Sequence, residues 1–161
     1  PDGVVRSKNR RTTVKTRIIS GHQHVVRVDE EMDEDITGGE EDLLLARVET
    51  LIRTERPGVV VLEDYNKGVL TERVITGTIA LAKAAGVPVA VDPKKRNFFA
   101  YQGVHLFKPN LKELREGLKT EIPSGDLAAV RQAVAQLEQR LGNTISLITL
   151  SEHGVYAHRG A

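Results

Sequence analysis

The sequence predicts an open α/β fold whose sheet is mostly parallel and is preceded by a β-hairpin. Two observations predict it. Three short apolar, β-branched runs, VVVLEDYNKG (59–68), VPVAVDPKK (87–95) and VHLFKPNLKE (104–113), each end abruptly in polar residues with a Gly or Pro. Strands covered on both faces read that way, because neither face needs polar positions. Helical segments also alternate with such runs, and strand–helix units of this length imply right-handed crossovers between parallel strands.

The elements follow in order. Residues 12–20 (TTVKTRIIS) and 25–29 (VVRVD) are expected as two strands around a turn at 21–24. Val14, Thr16 and Ile18 fall on one face of the first strand, Lys15 and Arg17 on the other. Thr37-x-x-Glu40 has the form of a capping box and opens a helix to about Arg56, with Leu44, Val48, Leu51 and Ile52 on one face. Strand 59–63 leads into a helix over 71–85, stopped by Gly86. Strand 87–91 precedes an irregular stretch holding Pro93, Phe98, Phe99 and Tyr101. Strand 104–107 leads to a short helix over 110–116. A further helix over 127–141 buries Leu127, Val130, Val134, Leu137 and Leu141 and stops at Gly142. Strand 144–150 breaks at 151–154, and 155–158 returns beside it. Four parallel strands are few for a doubly wound sheet, so the chain reads as part of a larger fold.

Composition narrows the function. A chain of 161 residues suits one domain and buries about 70% of its unfolded surface when compact. The net charge of +1 supplies no global field for nucleic acid or membrane. Without Cys there is no disulfide and no thiolate metal site, which fits a cytoplasmic location. No apolar run approaches transmembrane length. Charge is still uneven. Arg6, Lys8, Arg10, Arg11, Lys15 and Arg17 crowd the start, whereas Asp29, Glu30, Glu31, Asp33, Glu34, Asp35, Glu40, Glu41 and Asp42 follow with no base among them. The acidic run lacks calcium-loop spacing and reads as a solvated linker. The basic start has no aromatic residue for base stacking, which leaves a solvent-facing or substrate-facing segment.

If the strands are parallel, Asp64, Lys67, Asp92, Lys94, Asn110 and Glu113 share the carboxyl edge of the sheet, where open α/β sheets bind ligands. Carboxylates, amines and an amide gathered there suit phosphate or Mg²⁺ chemistry. Asn110-Leu111-Lys112-Glu113 has two readings. Asn110 caps a helix and Glu113 reaches back, or the pair organises Mg²⁺, which takes few protein oxygens and keeps waters and substrate phosphates. The readings are compatible, because a helix N-terminus attracts phosphate. Asp64 either bonds its own downstream backbone or faces substrate, and Lys67 is either solvated or a compact charge for a phosphoryl oxygen. Thr149 to Gly154 shapes a turn, or holds a nucleotide on exposed N–H groups. His22 and His24 lack an evident third metal ligand, and His105 reads as a core or sheet-face residue.

Taken in order, TTVKTRIIS…QHVVRVDEE, DYNKGVLT, VPVAVDPKK, KPNLKEL and LITLSEHG resemble the ribokinase-like carbohydrate kinases of the phosphofructokinase-B type. The resemblance is strongest to the kinase domain of the bifunctional enzymes of ADP-heptose synthesis, which phosphorylates D-glycero-β-D-manno-heptose 7-phosphate at its anomeric hydroxyl. It covers nearly the whole chain. It implies a three-layer α/β/α ribokinase-like fold, ATP and Mg²⁺ as cofactors, and a sugar phosphate as partner. Related kinases pair through a lid of strands, so a homodimer through the hairpin at 12–29 is implied as well.

Residue by residue, Asn110, Leu111, Lys112 and Glu113 fall on the Asn-x-x-Glu motif that organises Mg²⁺ and the ATP phosphates, Glu113 acting on the metal through water. Thr149, Ser151 and Gly154 fall on the Thr-x-Gly-x-x-Gly turn that meets the nucleotide, with Ser151 where the wider family has its first Gly. Asp64 and Lys67 fall on Asp-Tyr-x-Lys-Gly. Lys15, Arg17 and Arg27 lie in strands that approach the sugar. The family's N-terminal Gly-rich segment is missing, and so is the Gly-Ala-Gly-Asp segment that supplies the general base and the anion hole. The expectation is a fragment of one sugar-kinase domain over 1–161, with its alternating core over 40–161, inactive alone because the base lies beyond Ala161. A non-catalytic nucleotide-binding or interaction module is the alternative.

Overall fold

The computed structural model describes residues 3–160. Its first element pair is a ribbon: β1 (Val14–Ser20) and β2 (Gln23–Glu30) run antiparallel, in register from Val14 opposite Glu30 to Ser20 opposite Gln23. The turn is tighter than the sequence reading placed it. Gly21 adopts φ +61°, which lets the chain reverse within two residues, so Gln23 and His24 already belong to β2. The register shifts between Ile18 and Ile19, where the partner passes from Val26 to His24 and leaves Val25 of β2 unpaired. The ribbon contributes nothing to the core; every residue of β1 is exposed.

The remaining elements are α1 (Gly38–Glu55), β3 (Val60–Glu63), α2 (Glu72–Ala84), β4 (Val89–Asp92), β5 (Leu106–Phe107), α3 (Leu111–Leu118), α4 (Leu127–Leu141), β6 (Ile145–Thr149) and β7 (Val155–Arg159). Local chemistry accounts for their ends. Glu40 accepts the Thr37 N–H at 2.9 Å ahead of α1, Thr71 accepts the Val74 N–H at 3.2 Å to start α2, and Gly142 closes α4 at φ +66°. The strands lie side by side in chain order, β3 to β6 parallel and β7 antiparallel at the edge.

Because that order does not reverse among the described residues, right-handed crossovers carry α2, α3 and α4 to one face, and α1 packs on the same side. Leu62, Val91, Phe107 and Ile148 point to that face and share a core with Ile52 of α1, Ile75 of α2, Leu114 of α3 and Leu137 of α4. The opposite face carries Val61, Ala90, Leu106, Ile145 and Leu147, and Val61 is 62% exposed. The described residues thus build the sheet and one helical layer of an incomplete α/β/α sandwich. The stretch between β4 and β5, expected to be irregular, is densely packed. Phe98 meets Phe99 and Phe107 edge-on with centroids 5.2 and 5.1 Å apart, and a Cβ on Gly117 would lie 2.4 Å from the Phe98 ring.

Three expectations are corrected. Leu127 is exposed, because the buried stripe of α4 starts one turn later at Val130 and includes Ala133. His105 precedes β5 and is exposed. The acidic run is not a solvated linker. Glu31 is bonded to Lys67, Asp35 to Arg96 at 2.7 Å, and Glu41 to Arg73 at 3.1 Å. Its backbone is fastened too: the Ile36 N–H donates to the Gly68 carbonyl at 2.9 Å. It passes so close that a Cβ on Gly68 would lie 1.8 Å from the Glu34 oxygen. Charge spacing exposes the acids but not the distant bases that meet them.

Candidate active site

The carboxyl ends of β4, β5 and β6 meet along one rim. Asn110, just past β5, forms a parallel bridge with Thr149 at the end of β6, and the Thr149 N–H donates to the Pro109 carbonyl at 3.2 Å. These contacts put the two predicted nucleotide motifs beside each other. Asn110 caps α3 in both directions: its Oδ1 accepts the Glu113 N–H at 2.8 Å, and Glu113 Oε2 accepts the Asn110 N–H at 2.9 Å. Glu113 Oε1 is bonded to the Lys94 ammonium. Lys94 lies 3.8 Å from Asp92 Oδ1, and Lys108 holds Asp92 Oδ2 at 2.7 Å. Partial burial alone pulls the Lys94 pKa down, but the bond to Glu113 and the nearby carboxylates outweigh it and hold the ammonium above its ordinary value. Leu111 turns inward against the core, whereas Lys112 stays exposed, 4.0 Å from Glu116.

The turn after β6 is held by its own backbone. The Leu150 N–H donates to the Gly154 carbonyl at 2.8 Å, and the Gly154 N–H to the Ser151 carbonyl at 3.1 Å. Ser151 sits at φ +53°, the left-handed region in which glycine is at ease. That backbone explains why a glycine suits this position in the motif.

A second cluster forms where β3 meets the ribbon. A cleft of about 600 Å³ is lined by Lys15, Glu31, Asp64, Tyr65 and Lys67. Lys67 is bonded to Glu31, and Lys15 lies 3.6 Å from the other Glu31 oxygen and 3.5 Å from Asp29. Arg27 pairs with Asp29 at 3.1 Å. Arg17 stands opposite Arg27 in the ribbon register and is exposed. Asp64 is 4% exposed, and both its oxygens are engaged: Oδ1 accepts the Asn66 N–H at 2.7 Å and Oδ2 the Tyr101 hydroxyl at 2.8 Å. Burial first, then the Asp64 bond, drive the Tyr101 pKa far upward, so the phenol stays a donor. Asp64 thereby shapes the turn that presents Lys67, with Asn66 at φ +53° and Gly68 at φ +72°.

Among the described residues there is no group of three or more His, Asp or Glu side chains able to hold a metal alone. A cation that keeps most of its waters needs no such cage, and hard carboxylate oxygens suit Mg²⁺. Glu113 and Asp92 supply such oxygens, and a cation, the Lys94 ammonium, already lies against both. The donor set therefore fits a hydrated divalent ion shared with a phosphate. Sequence reasoning placed Lys94 and Asp92 on this edge without a role and passed over Lys108 and Tyr101. The basic residues of DPK and FKPN, each just past a strand, were the available signal.

The profile of the pfkB family of carbohydrate kinases matches residues 1–160. The chain belongs to that family. Among curated relatives, the bifunctional protein HldE of Caulobacter vibrioides is 45% identical over 146 residues, and that of Azorhizobium caulinodans 42% over 146 residues. Each alignment takes in 91% of this chain and 29% of the relative. The chain thus spans about three-tenths of the length of these relatives. Solved structures share the fold. Phosphofructokinase-2 of Escherichia coli superposes with a TM-score of 0.66 at 19% identity, over 84% of this chain and 43% of that one. Ribokinase of Arabidopsis thaliana, complexed with ribose and ATP, gives 0.59 at 20% identity, over 94% and 46%. No helix among the described residues is long and apolar enough to cross a membrane.

Proposed function

We propose that the chain is the nucleotide-side portion of an ATP-dependent, cytoplasmic sugar kinase whose acceptor is a heptose 7-phosphate, converted to the 1,7-bisphosphate. The bridge between Asn110 and Thr149 carries this reading, since it joins the Asn-x-x-Glu motif to the turn after β6. Identity of 36–45% to bifunctional HldE proteins supports the choice of sugar. In this reading the α3 N-terminus and the backbone N–H groups of Ser151 and Glu152 receive the phosphates. Glu113, with Asp92 beside it, would hold Mg²⁺ through water, and the ion would neutralise charge on the transferred phosphoryl group. Lys67 and Lys15, set around the cleft, would take the sugar phosphate, each exchanging its carboxylate partner for a phosphate oxygen. The ribbon is the surface on which a second copy would pair.

Calorimetric titration with MgATP tests the reading. The wild-type chain is expected to bind, and Glu113→Ala to bind at least about tenfold more weakly, a loss of about 1.4 kcal/mol. Equal affinity would reduce Asn110 and Glu113 to a helix cap. The isolated chain is expected to bind without turnover, and phosphorylation of a heptose phosphate by these 161 residues alone would overturn that part.

A further inference from the structure

Each oxygen of the Glu113 carboxylate already has a partner within the protein. Oε2 accepts the Asn110 N–H at 2.9 Å, and Oε1 holds the Lys94 ammonium. The Glu113 side chain is only 10% exposed, so without a cation this carboxylate would carry a large desolvation cost. The same ammonium lies 3.8 Å from Asp92 Oδ1 and 3.4 Å from the Pro93 carbonyl oxygen. Lys108 occupies the other Asp92 oxygen at 2.7 Å. Two carboxylates and two ammonium groups leave this cluster neutral. Lys94 therefore occupies the Glu113 oxygen for which a hydrated divalent ion would compete, on a flexible four-carbon stem that is 35% exposed.

We propose that Lys94 is an exchangeable counter-ion, which holds Glu113 until a hydrated divalent ion takes that carboxylate and then turns its ammonium to the triphosphate oxygens. The inference rests on the reading of Glu113 as the carboxylate that organises Mg²⁺. A bare divalent ion must enter a cluster that is already neutral and expel an ammonium that thereby loses its nearest carboxylate. An ion delivered with its nucleotide brings the oxygens that receive this ammonium. Ion and nucleotide thus bind synergistically, each weakly alone, and Lys94 is the residue that couples them. No bond to the protein forms or breaks; only ion pairs exchange.

Mn²⁺ binding to the full chain, followed by the loss of the free-ion electron paramagnetic resonance signal, tests this without turnover. Lys94→Met keeps the stem and removes the charge. It is expected to bind Mn²⁺ about tenfold more tightly in the absence of nucleotide, and to lose about tenfold of the mutual tightening between Mn²⁺ and ATP. Lys94→Arg keeps the charge and is expected to restore the wild-type weakness towards the ion alone. Circular dichroism checks the fold, and Lys94→Gln carries the same expectation should the methionine variant unfold. Unchanged Mn²⁺ affinity on removal of the charge would overturn the exchange. A gain that survives Glu113→Gln in the double variant would place the ion elsewhere and sink the Glu113 reading itself.

Discussion

Ser151 and Gly154 bear opposite strains in one turn. Left-handed backbone costs a residue with a Cβ about 1–2 kcal/mol, and Ser151 sits there at φ +53°. Glycine would relieve that strain but add about 0.4–1 kcal/mol of unfolded-chain freedom. Ser151→Gly is therefore expected to be about 0–1.6 kcal/mol more stable in urea denaturation. Gly154 adopts φ +84° and ψ −137°, close to a region that only glycine enters readily, with no atom within 4 Å of a built Cβ. Gly154→Ala thus reads conformational strain without a clash, and a loss of about 1–3 kcal/mol is expected. A neutral result would show that the turn relaxes freely. The special role of Gly154 was legible in the sequence, because its spacing from Thr149 matches a motif. The double use of Asp64 was only half legible. Its Asx turn lies two residues away, whereas the Tyr101 hydroxyl comes from 37 residues further on.

The ribbon illustrates what is decided at the scale of an element. Val14, Ile18, Val26 and Val28 share one face of β1 and β2 and are 45–51% exposed. A two-stranded ribbon is marginal by itself, so an apolar face of this kind gains most from a partner. If a second copy covers it, Ile18→Lys with Val26→Lys is expected to shift sedimentation from dimer to monomer while the helical circular dichroism stays unchanged. A wild-type monomer would remove this role from the ribbon. Alternation in the sequence announced the two strands and the face on which Lys15 and Arg17 lie. It did not reveal the register shift at Val25, opposite Ile18 and Ile19, since such a shift is a mismatch between two strands rather than a property of one.

At the scale of the molecule, the acidic run works as a fastener. Glu31, Glu40 and Glu41 are each held below the ordinary carboxylate value of 4.5, first by hydrogen bonds from Lys67, Ser7 and Thr71 respectively. A carboxyl depressed in the folded state contributes its full stability above the unfolded value and loses it as pH falls through the lower folded value. Melting temperature is therefore expected to be flat from about pH 7 to 5 and to fall below about pH 4.5. Replacing the three acids with glutamine should flatten that fall, and an equally steep fall in the triple variant would contradict the fastening. The sequence alone determined the alternation of strands and helices, the caps at Thr37, Asn110 and Gly142, and the edge on which the polar residues gather. These depend on hydrogen bonds and apolar periods within a few residues, which neighbouring positions encode. Only the tertiary structure decided that Lys94 meets Glu113 across 19 residues and Lys67 meets Glu31 across 36. It also decided that one face of the sheet stays partly open. Such pairings depend on where crossovers return the chain, and no local window of sequence contains both partners.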